Sequence, residues 1–284
     1  MLNRYSGYDR RTGFIEIRSG AFHDCALHKE GFVLCTGANS FGQCETDLWT
    51  EVLYIECGDY HSIGFDGKRV LSTGSNKFGQ CNVPKKRGVK QIACGSNHTV
   101  ILYKNGCLRA VGDNSSGQCD VNSLKHIRKI LAIKDLTIAI DNMGNTYMRG
   151  NIPIYFNDYQ ISENVNDIFI CNEYAIIQLS SKEIEVIGKA PHEFKRHLNS
   201  VLDKCDTKKI ICVSNALLLI TESGKAHFYT EEGFLDISPK EIVTDAVLFK
   251  ECQDETHIYY ITEDGEIRRK ALRHGKEILW MEQL

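Results

Sequence analysis

Gly37-Ala38-Asn39-Ser40-Phe41-Gly42-Gln43-Cys44 comes back as Gly74-Ser75-Asn76-Lys77-Phe78-Gly79-Gln80-Cys81, and again as Gly112-Asp113-Asn114-Ser115-Ser116-Gly117-Gln118-Cys119. A shorter motif precedes each copy: Ser19-Gly20-Ala21-Phe22-His23, Cys57-Gly58-Asp59-Tyr60-His61 and Cys94-Gly95-Ser96-Asn97-His98. His23, His61 and His98 are separated by 38 and 37 residues, and Gln43, Gln80 and Gln118 by 37 and 38. Three copies at constant spacing are an internal repeat, and a repeat of this period decides the architecture before any other signal.

The period outlasts the signature. Each unit reads as an apolar stretch, a tight turn and a second apolar stretch, with turns at Glu30-Gly31, Asp66-Gly67, Asn105-Gly106, Met143-Gly144, Ser181-Lys182, Ser223-Gly224 and Asp264-Gly265. Glycine supplies the positive φ that tight hairpins require, and only the fifth turn lacks it. The flanks, such as Thr99–Tyr103, Thr137–Ile140, Ala175–Ile177, Ala216–Ile220 and His257–Ile261, are short and rich in β-branched and aromatic residues, the composition of strands.

Seven units in 284 residues leave about 40 residues each, the size of one propeller blade. The expectation is an all-β, seven-bladed β-propeller of four-stranded blades, a single domain over residues 1–284. Units one to three are clear at about 14–125, and units four to seven are degenerate at about 126–284. Stacked in a ring, blades bury faces that no blade buries alone. Phe14–Ile17 aligns with Leu53–Ile55 and Lys90–Ile92, and the strand-like Glu277–Met281 is expected to complete the ring. The alternative is an open β-solenoid, which needs shorter and more uniform repeats.

Composition fits a soluble globular chain: 42% hydrophobic and 25% charged residues, with 23 Gly against 4 Pro, a balance that favours tight turns over linkers. The net charge of −3 hides an asymmetry, because residues 1–150 carry 19 Lys and Arg against 14 Asp and Glu, and residues 151–284 carry 15 against 23. A basic docking surface is therefore expected in the first half. Nucleic acid is not the expected partner, since the whole chain has no basic field. No run approaches the ~20 apolar residues of a membrane span. Met1–Phe14 lacks the apolar core of a signal peptide, and Met281–Leu284 lacks the cysteine of a prenyl anchor. A monomeric propeller in the cytoplasm, native or delivered into a host cytoplasm, is expected. The twelve cysteines include no Cys-x-x-Cys pair, so reduced, buried thiols are expected rather than a zinc site or a disulfide framework.

The unit Gly-x-x-His, then a Gly-bearing hairpin, then Gly-x-Asn-x-x-Gly-Gln resembles the repeat of the regulator of chromosome condensation family, in the Gly-Gln-Cys form of its short bacterial members. The resemblance covers units one to three. It implies a seven-bladed propeller that binds proteins and, for founding members, guanine nucleotide exchange on the small GTPase Ran. Exchange in that family relies on a hairpin wedge projecting between blades. Units one to three are too short and too equal to hold one, and the later units are longer by only two or three residues.

His23, His61 and His98 recur with the repeat. Each is expected to serve its own blade as a half-buried imidazole bonded to backbone, not to join a catalytic or metal site. Asn39, Asn76 and Asn114 are expected to satisfy loop backbone, and Gly42, Gly79 and Gly117 to hold unusual φ. No His-x-x-x-His, Gly-x-Ser-x-Gly or phosphate-loop pattern occurs, and Glu231-Glu232 reads as a solvated loop, so no catalytic residue, metal or cofactor is expected. The one concentrated charge feature is Lys85-Lys86-Arg87-Gly88-Val89-Lys90. Lys85, Lys86, Arg87 and Lys90 form the candidate partner-binding site, suited to an acidic protein. The reading is an interaction propeller that docks on a small GTPase or another acidic protein. Nucleotide exchange on a GTPase of the Ran or Rab type and a secreted bacterial surface protein are the alternatives.

Overall fold

The apolar runs fold as antiparallel strands that the glycine turns reverse, in seven successive sheets. The computed structural model describes residues 12–157, 163–170, 174–181, 183–190, 207–213, 216–230, 233–236, 243–250, 255–273 and 278–281. Blade 1 holds β1 (Phe14–Ser19), β2 (His23–His28) and β3 (Val33–Gly37); blade 2 holds β4 (Tyr54–Cys57), β5 (His61–Phe65) and β6 (Val70–Gly74). Blade 3 holds β7 (Val89–Cys94), β8 (His98–Tyr103) and β9 (Leu108–Gly112); blade 4 holds β10 (Ile127–Ile133), β11 (Leu136–Asp141) and β12 (Thr146–Gly150). Blade 5 holds β13 (Val165–Ile170), β14 (Tyr174–Leu179) and β15 (Ile184–Gly188). Blade 6 holds β16 (Thr207–Val213), β17 (Ala216–Thr221), β18 (Ala226–Thr230) and β19 (Gly233–Asp236). Blade 7 holds β20 (Val243–Lys250), β21 (Glu255–Thr262), β22 (Ile267–Arg273) and β23 (Ile278–Met281). Among the described residues the only helical turn is a 3-10 turn at Ile154–Phe156, and no helix is long and apolar enough to cross a membrane.

The expected four strands per blade need correcting. Among the described residues, blades 1–5 are three-stranded and only blades 6 and 7 have a fourth strand. In blades 1–3 the Asn-x-x-Gly-Gln segment stands where that strand was expected, as a succession of turns. Gly42 N donates to Asn39 O at 3.0 Å, Glu45 N to Gly42 O at 3.1 Å and Trp49 N to Thr46 O at 2.9 Å. Donors satisfied within their own segment cannot build a ladder with a neighbour.

Seven apolar clusters fill the seven seams between blades. Ala93, Val100 and Leu102 of blade 3 meet Ile127, Ile130 and Ala139 of blade 4, for example. At the closing seam, Phe14, Ile17, Ala26 and Phe32 of blade 1 pack on Tyr259 and Ile261 of blade 7. The backbone repeats the same joint. Gly31 O accepts from Val52 N at 2.9 Å, Gly106 O from Ile127 N at 3.0 Å and Gly224 O from Val243 N at 3.0 Å. Gly265 O accepts from Phe14 N at 3.0 Å, so the last hairpin holds the first strand as the hairpins of blades 1, 3 and 6 hold their successors. Ring closure therefore does not use Ile278–Met281, contrary to expectation. That segment is β23, paired with β22 at the outer edge of blade 7, whereas the ring closes at the inner strands β20 and β1.

The strands give the ring two faces. In blades 1–3 the loop after the third strand starts beside the turn that joins the first two. Ala38 N donates to Phe22 O at 2.7 Å, Ser75 N to Tyr60 O at 2.8 Å and Asp113 N to Asn97 O at 2.8 Å. These turns and loops form the loop face, and the glycine hairpins, at the other ends of the strands, form the hairpin face.

Candidate docking site

The repeat histidines are locks between blades. His23 Nε2 lies 2.8 Å from Ser62 Oγ, His61 Nε2 2.9 Å from Thr99 Oγ1 and His98 Nε2 2.9 Å from Thr137 Oγ1. Each hydroxyl donates its proton to a glutamine carbonyl, Gln43 O at 2.8 Å, Gln80 O at 2.9 Å and Gln118 O at 2.8 Å. A hydroxyl has one proton to give, so it accepts from the imidazole, which is the neutral Nε2–H tautomer. Burial pushes all three imidazoles down to about 4. The expectation of a half-buried ring bonded to backbone is corrected here: the rings are fully buried and Nε2 meets the hydroxyl of the next blade. The glycine of Gly-x-x-His follows from that packing. A Cβ on Gly58 would stand 2.1 Å from His61 Cε1 and 2.6 Å from Gly95 O.

The Asn and Gln side chains build the loop. Asn39, Asn76 and Asn114 accept from Cys44 N, Cys81 N and Cys119 N at 2.9, 2.9 and 2.7 Å. Gly42, Gly79 and Gly117 take φ of 78°, 85° and 82°, the left-handed region. Cys25 and Cys35 face each other across β2 and β3 and are bonded as a disulfide, while six described cysteines are free. The expectation of reduced thiols is corrected at that pair, because the register places one sulfur directly opposite the other. His23, Cys25 and Cys57 bring ligand atoms within 4.8 Å of one another. They do not fit a metal: Cys25 is already bonded, burial pushes the Cys57 thiol far up, and Ser62 Oγ sits 2.8 Å from His23 Nε2 and 3.6 Å from Cys25 Sγ.

Charged and polar side chains of the inner strands line an axial cavity of about 470 Å³, with Arg18, Glu56, Gln91, Lys129, Asp167 and Lys209 in its wall. They clasp one blade to the next. Glu16 Oε2 accepts from Ile55 N at 3.2 Å, Gln91 Oε1 from Ile130 N at 3.0 Å and Asp245 Oδ2 from Ile17 N at 3.1 Å, the last across the closing seam. Lys129 pairs with Asp167, Lys209 with Asp245, and Arg18 with Glu16, with Glu56 at 3.3 Å and with Asp245 at 3.7 Å. Burial disfavours the Arg18 charge, but the three carboxylates outweigh it and hold the guanidinium above its ordinary value. Burial raises Glu16 and Glu56, with Arg18 opposing. Each of these charges has an opposite partner.

The basic loop lies on the hairpin face. Lys85, Lys86, Arg87 and Lys90 are exposed. Lys86 Nζ stands 4.9 Å over the Tyr103 ring, and Lys90 Nζ donates to Arg128 O at 2.8 Å. Gly88 O accepts from Lys104 N at 2.8 Å, which docks the loop on the hairpin of blade 3. On the hairpin's other side, a Cβ on Gly106 would stand 3.0 Å from His126 Cα. The exposed Lys104 stands on that hairpin, and the exposed Lys125, next to His126, stands at its far side, so two further segments bring cations to the same hairpin. Sequence reading missed both, since each is a lone cation in its own stretch.

Residues 89–118 match the Regulator of chromosome condensation (RCC1) repeat. No curated relative matches the sequence significantly. Among solved structures, human WBSCR16 superimposes with a TM-score of 0.67 at 15% identity, over 84% of this chain and 85% of that one. Prp20p from Saccharomyces cerevisiae, described with its binding to Gsp1p and histones, gives 0.63 at 14% identity, over 82% and 80%. The ectodomain of the Physcomitrella patens receptor kinase CR4 gives 0.67 at 10% identity, over 94% and 74%. At such identities the likeness is one of fold. The chain carries a regulator of chromosome condensation repeat and folds as a seven-bladed β-propeller of the kind that repeat builds.

Proposed function

We propose that the protein is an interaction propeller whose hairpin face docks an acidic protein, with a small GTPase as the favoured class and the cytoplasm as its site of action. The observation that carries this reading is the gathering of Lys85, Lys86, Arg87, Lys104 and Lys125 around one hairpin from three separate segments. Clustered exposed cations draw in an acidic partner and speed its encounter. A structure of the same fold, Prp20p, is described with Gsp1p and histones as its ligands, so the scaffold supports protein docking. The test is binding to purified GTPases of the Ran, Rab, Rho and Ras classes. Reversing Lys85, Lys86, Arg87 and Lys90 to Glu should slow association about tenfold and flatten its salt dependence. Unchanged affinity and salt slope would reject the loop as the site. Fluorescent-nucleotide release from the same panel separates docking from exchange: acceleration supports exchange, and binding without acceleration leaves docking alone.

The Cys25–Cys35 disulfide favours a second reading, a secreted surface protein in an oxidising compartment. Thiol titration of the denatured native protein decides between them, because twelve free thiols would remove the secreted reading.

A further inference from the structure

Three aromatic side chains, Phe22, Tyr60 and Phe41, stand together on the loop face of blades 1 and 2, and Phe78 holds the position of Phe41 in the next loop. Phe22, Phe41 and Phe78 are 54%, 55% and 44% exposed. The half-buried Tyr60 stacks on Phe22 at a centroid distance of 5.5 Å and meets Phe41 edge-on at 5.4 Å. The Lys77 ammonium lies 5.4 Å over the Phe78 ring.

The fold does not ask for these rings. Phe22 and Tyr60 precede the relay histidines, where blade 3 has Asn97; Phe41 and Phe78 stand two residues before the loop glutamines, where blade 3 has Ser116. The backbone is the same in all three blades. Phe41 N, Phe78 N and Ser116 N donate to glutamine Oε1 at 3.0, 3.0 and 2.9 Å. Phe22 O, Tyr60 O and Asn97 O accept from the following loop at 2.7, 2.8 and 2.8 Å. Blade 3 is thus a control inside the molecule. Exposed aromatics where a polar residue builds the same turn mark a contact surface.

The surrounding charge indicates what the surface contacts. Glu45 and Asp59 flank the turns and loops of blades 1 and 2, exposed or partly so, beside Lys77, whereas Arg149 Nε donates to Asp120 O at 3.1 Å at the loop of blade 3. Exposed ring faces bordered by carboxylates suit a guanidinium, which stacks on the ring and pairs with the acid. Lys77 over Phe78 is an example of a cation on such a ring within this chain. The acidic margin repels a phosphate backbone.

We propose that the loop face of blades 1 and 2 is a second docking surface, for a protein segment that presents arginine beside an apolar side chain. It lies on the face opposite the Lys85–Lys90 cluster, so the ring offers surfaces of opposite charge to two partners.

The experiment uses fluorescently labelled short peptides against the full chain, read by anisotropy. One probe alternates Arg and Leu, and a second has Asp in place of Arg. The Arg-Leu probe should bind saturably and the Asp-Leu probe at least about tenfold more weakly. F22N/F41S/Y60N/F78S, which installs the residues of blade 3, should weaken the Arg-Leu probe at least about tenfold. E45Q/D59N should weaken it about threefold and flatten its salt dependence, and K85E/K86E/R87E/K90E should not weaken it. Should the fourfold variant unfold, F41S/F78S alone makes the comparison. Equal binding of both probes, no saturable binding of the Arg-Leu probe, or undiminished binding by the aromatic variant overturns the proposal. So does single-stranded RNA that binds more tightly than the Arg-Leu probe through the same four rings.

Discussion

Between blades 1 and 4, three seams are crossed by a histidine, a hydroxyl and a glutamine carbonyl in series; between blades 6 and 7, Leu218, Ile220 and Ala226 meet Val243, Ala246, Ile258 and Tyr260 with no such relay among the described residues. The switch happens at blades 4 and 5, and it happens to whole sets of residues. Where His98 stood, blade 4 has Leu136, which has no proton to give; where Thr137 stood, blade 5 has Ala175, which has no oxygen to receive one. The turn glycine goes too: Gly95, where a Cβ would meet both the imidazole and Lys134 O, becomes Ile133 beside Leu136. The two regions therefore solve one packing problem with two chemistries. Loss of the signature in units four to seven is a change of bonding mode, since the hairpin-to-strand joint persists at Gly144, Gly224 and Gly265.

Acid should break the comparison most strongly. The three histidines sit at about 4 when folded against an ordinary 6.5, so the unfolded chain takes up protons first as pH falls. Their stabilisation is present above about 6.5 and is lost toward 4, at up to about 1.4 kcal/mol per pH unit for each histidine. Glu16 and Glu56, raised by burial, gain protons first in the folded state and offset part of that loss. Denaturant unfolding from pH 7 to 5, with amide exchange corrected for intrinsic rates, should show blades 1–4 opening before blades 5–7. Simultaneous opening would deny the relays their local role.

Gly58→Ala should cost about 3 kcal/mol or more, because its Cβ meets both an imidazole and a backbone carbonyl. The cost should shrink in a His61→Leu background, which imitates Ile133 beside Leu136. Equal cost in both backgrounds would show that the carbonyl of Gly95, and not the ring, forces the glycine.

His61→Leu alone should cost about 2 kcal/mol, as it leaves Thr99 without its donor. Adding Thr99→Ala, which rebuilds the Leu136 and Ala175 pairing, should cost about 1 kcal/mol less than the two single changes summed. Strict additivity would mean that the hydroxyl and the ring are not coupled. The smallest effect is expected at Gly79→Ala, about 1–2 kcal/mol, from a φ of 85° that a Cβ disfavours. Binding at the Lys85–Lys90 loop should follow only as far as stability does.

Local chemistry was legible in the sequence. Asn-Gly and Asp-Gly turns, short β-branched runs and the loop motif act within a few residues of themselves, so strand class, the number of units and the loop-building Asn and Gly positions followed directly. The fourth strand of blades 1–3 was expected from the length of the unit, which does not reveal that the N–H groups of the Asn-x-x-Gly-Gln segment are satisfied within its own turns. The relay was half legible: His23 recurs visibly, but its partner Ser62 lies 39 residues away in the next unit and is an ordinary serine there.

By itself the sequence determined a ring of seven repeating β units, because the period, the turns and the strand composition are properties of neighbouring residues. Only the tertiary structure decided which side chains meet across a seam. It joined Cys25 to Cys35, set Asp245 against Ile17 at the closure, bonded Lys104 N to Gly88 O in the basic loop, and brought Phe22, Tyr60 and Phe41 into one patch. Those meetings depend on strand register and on the closing of the ring, and they join positions at least ten residues apart in the chain, a distance over which local pattern carries no information about contact.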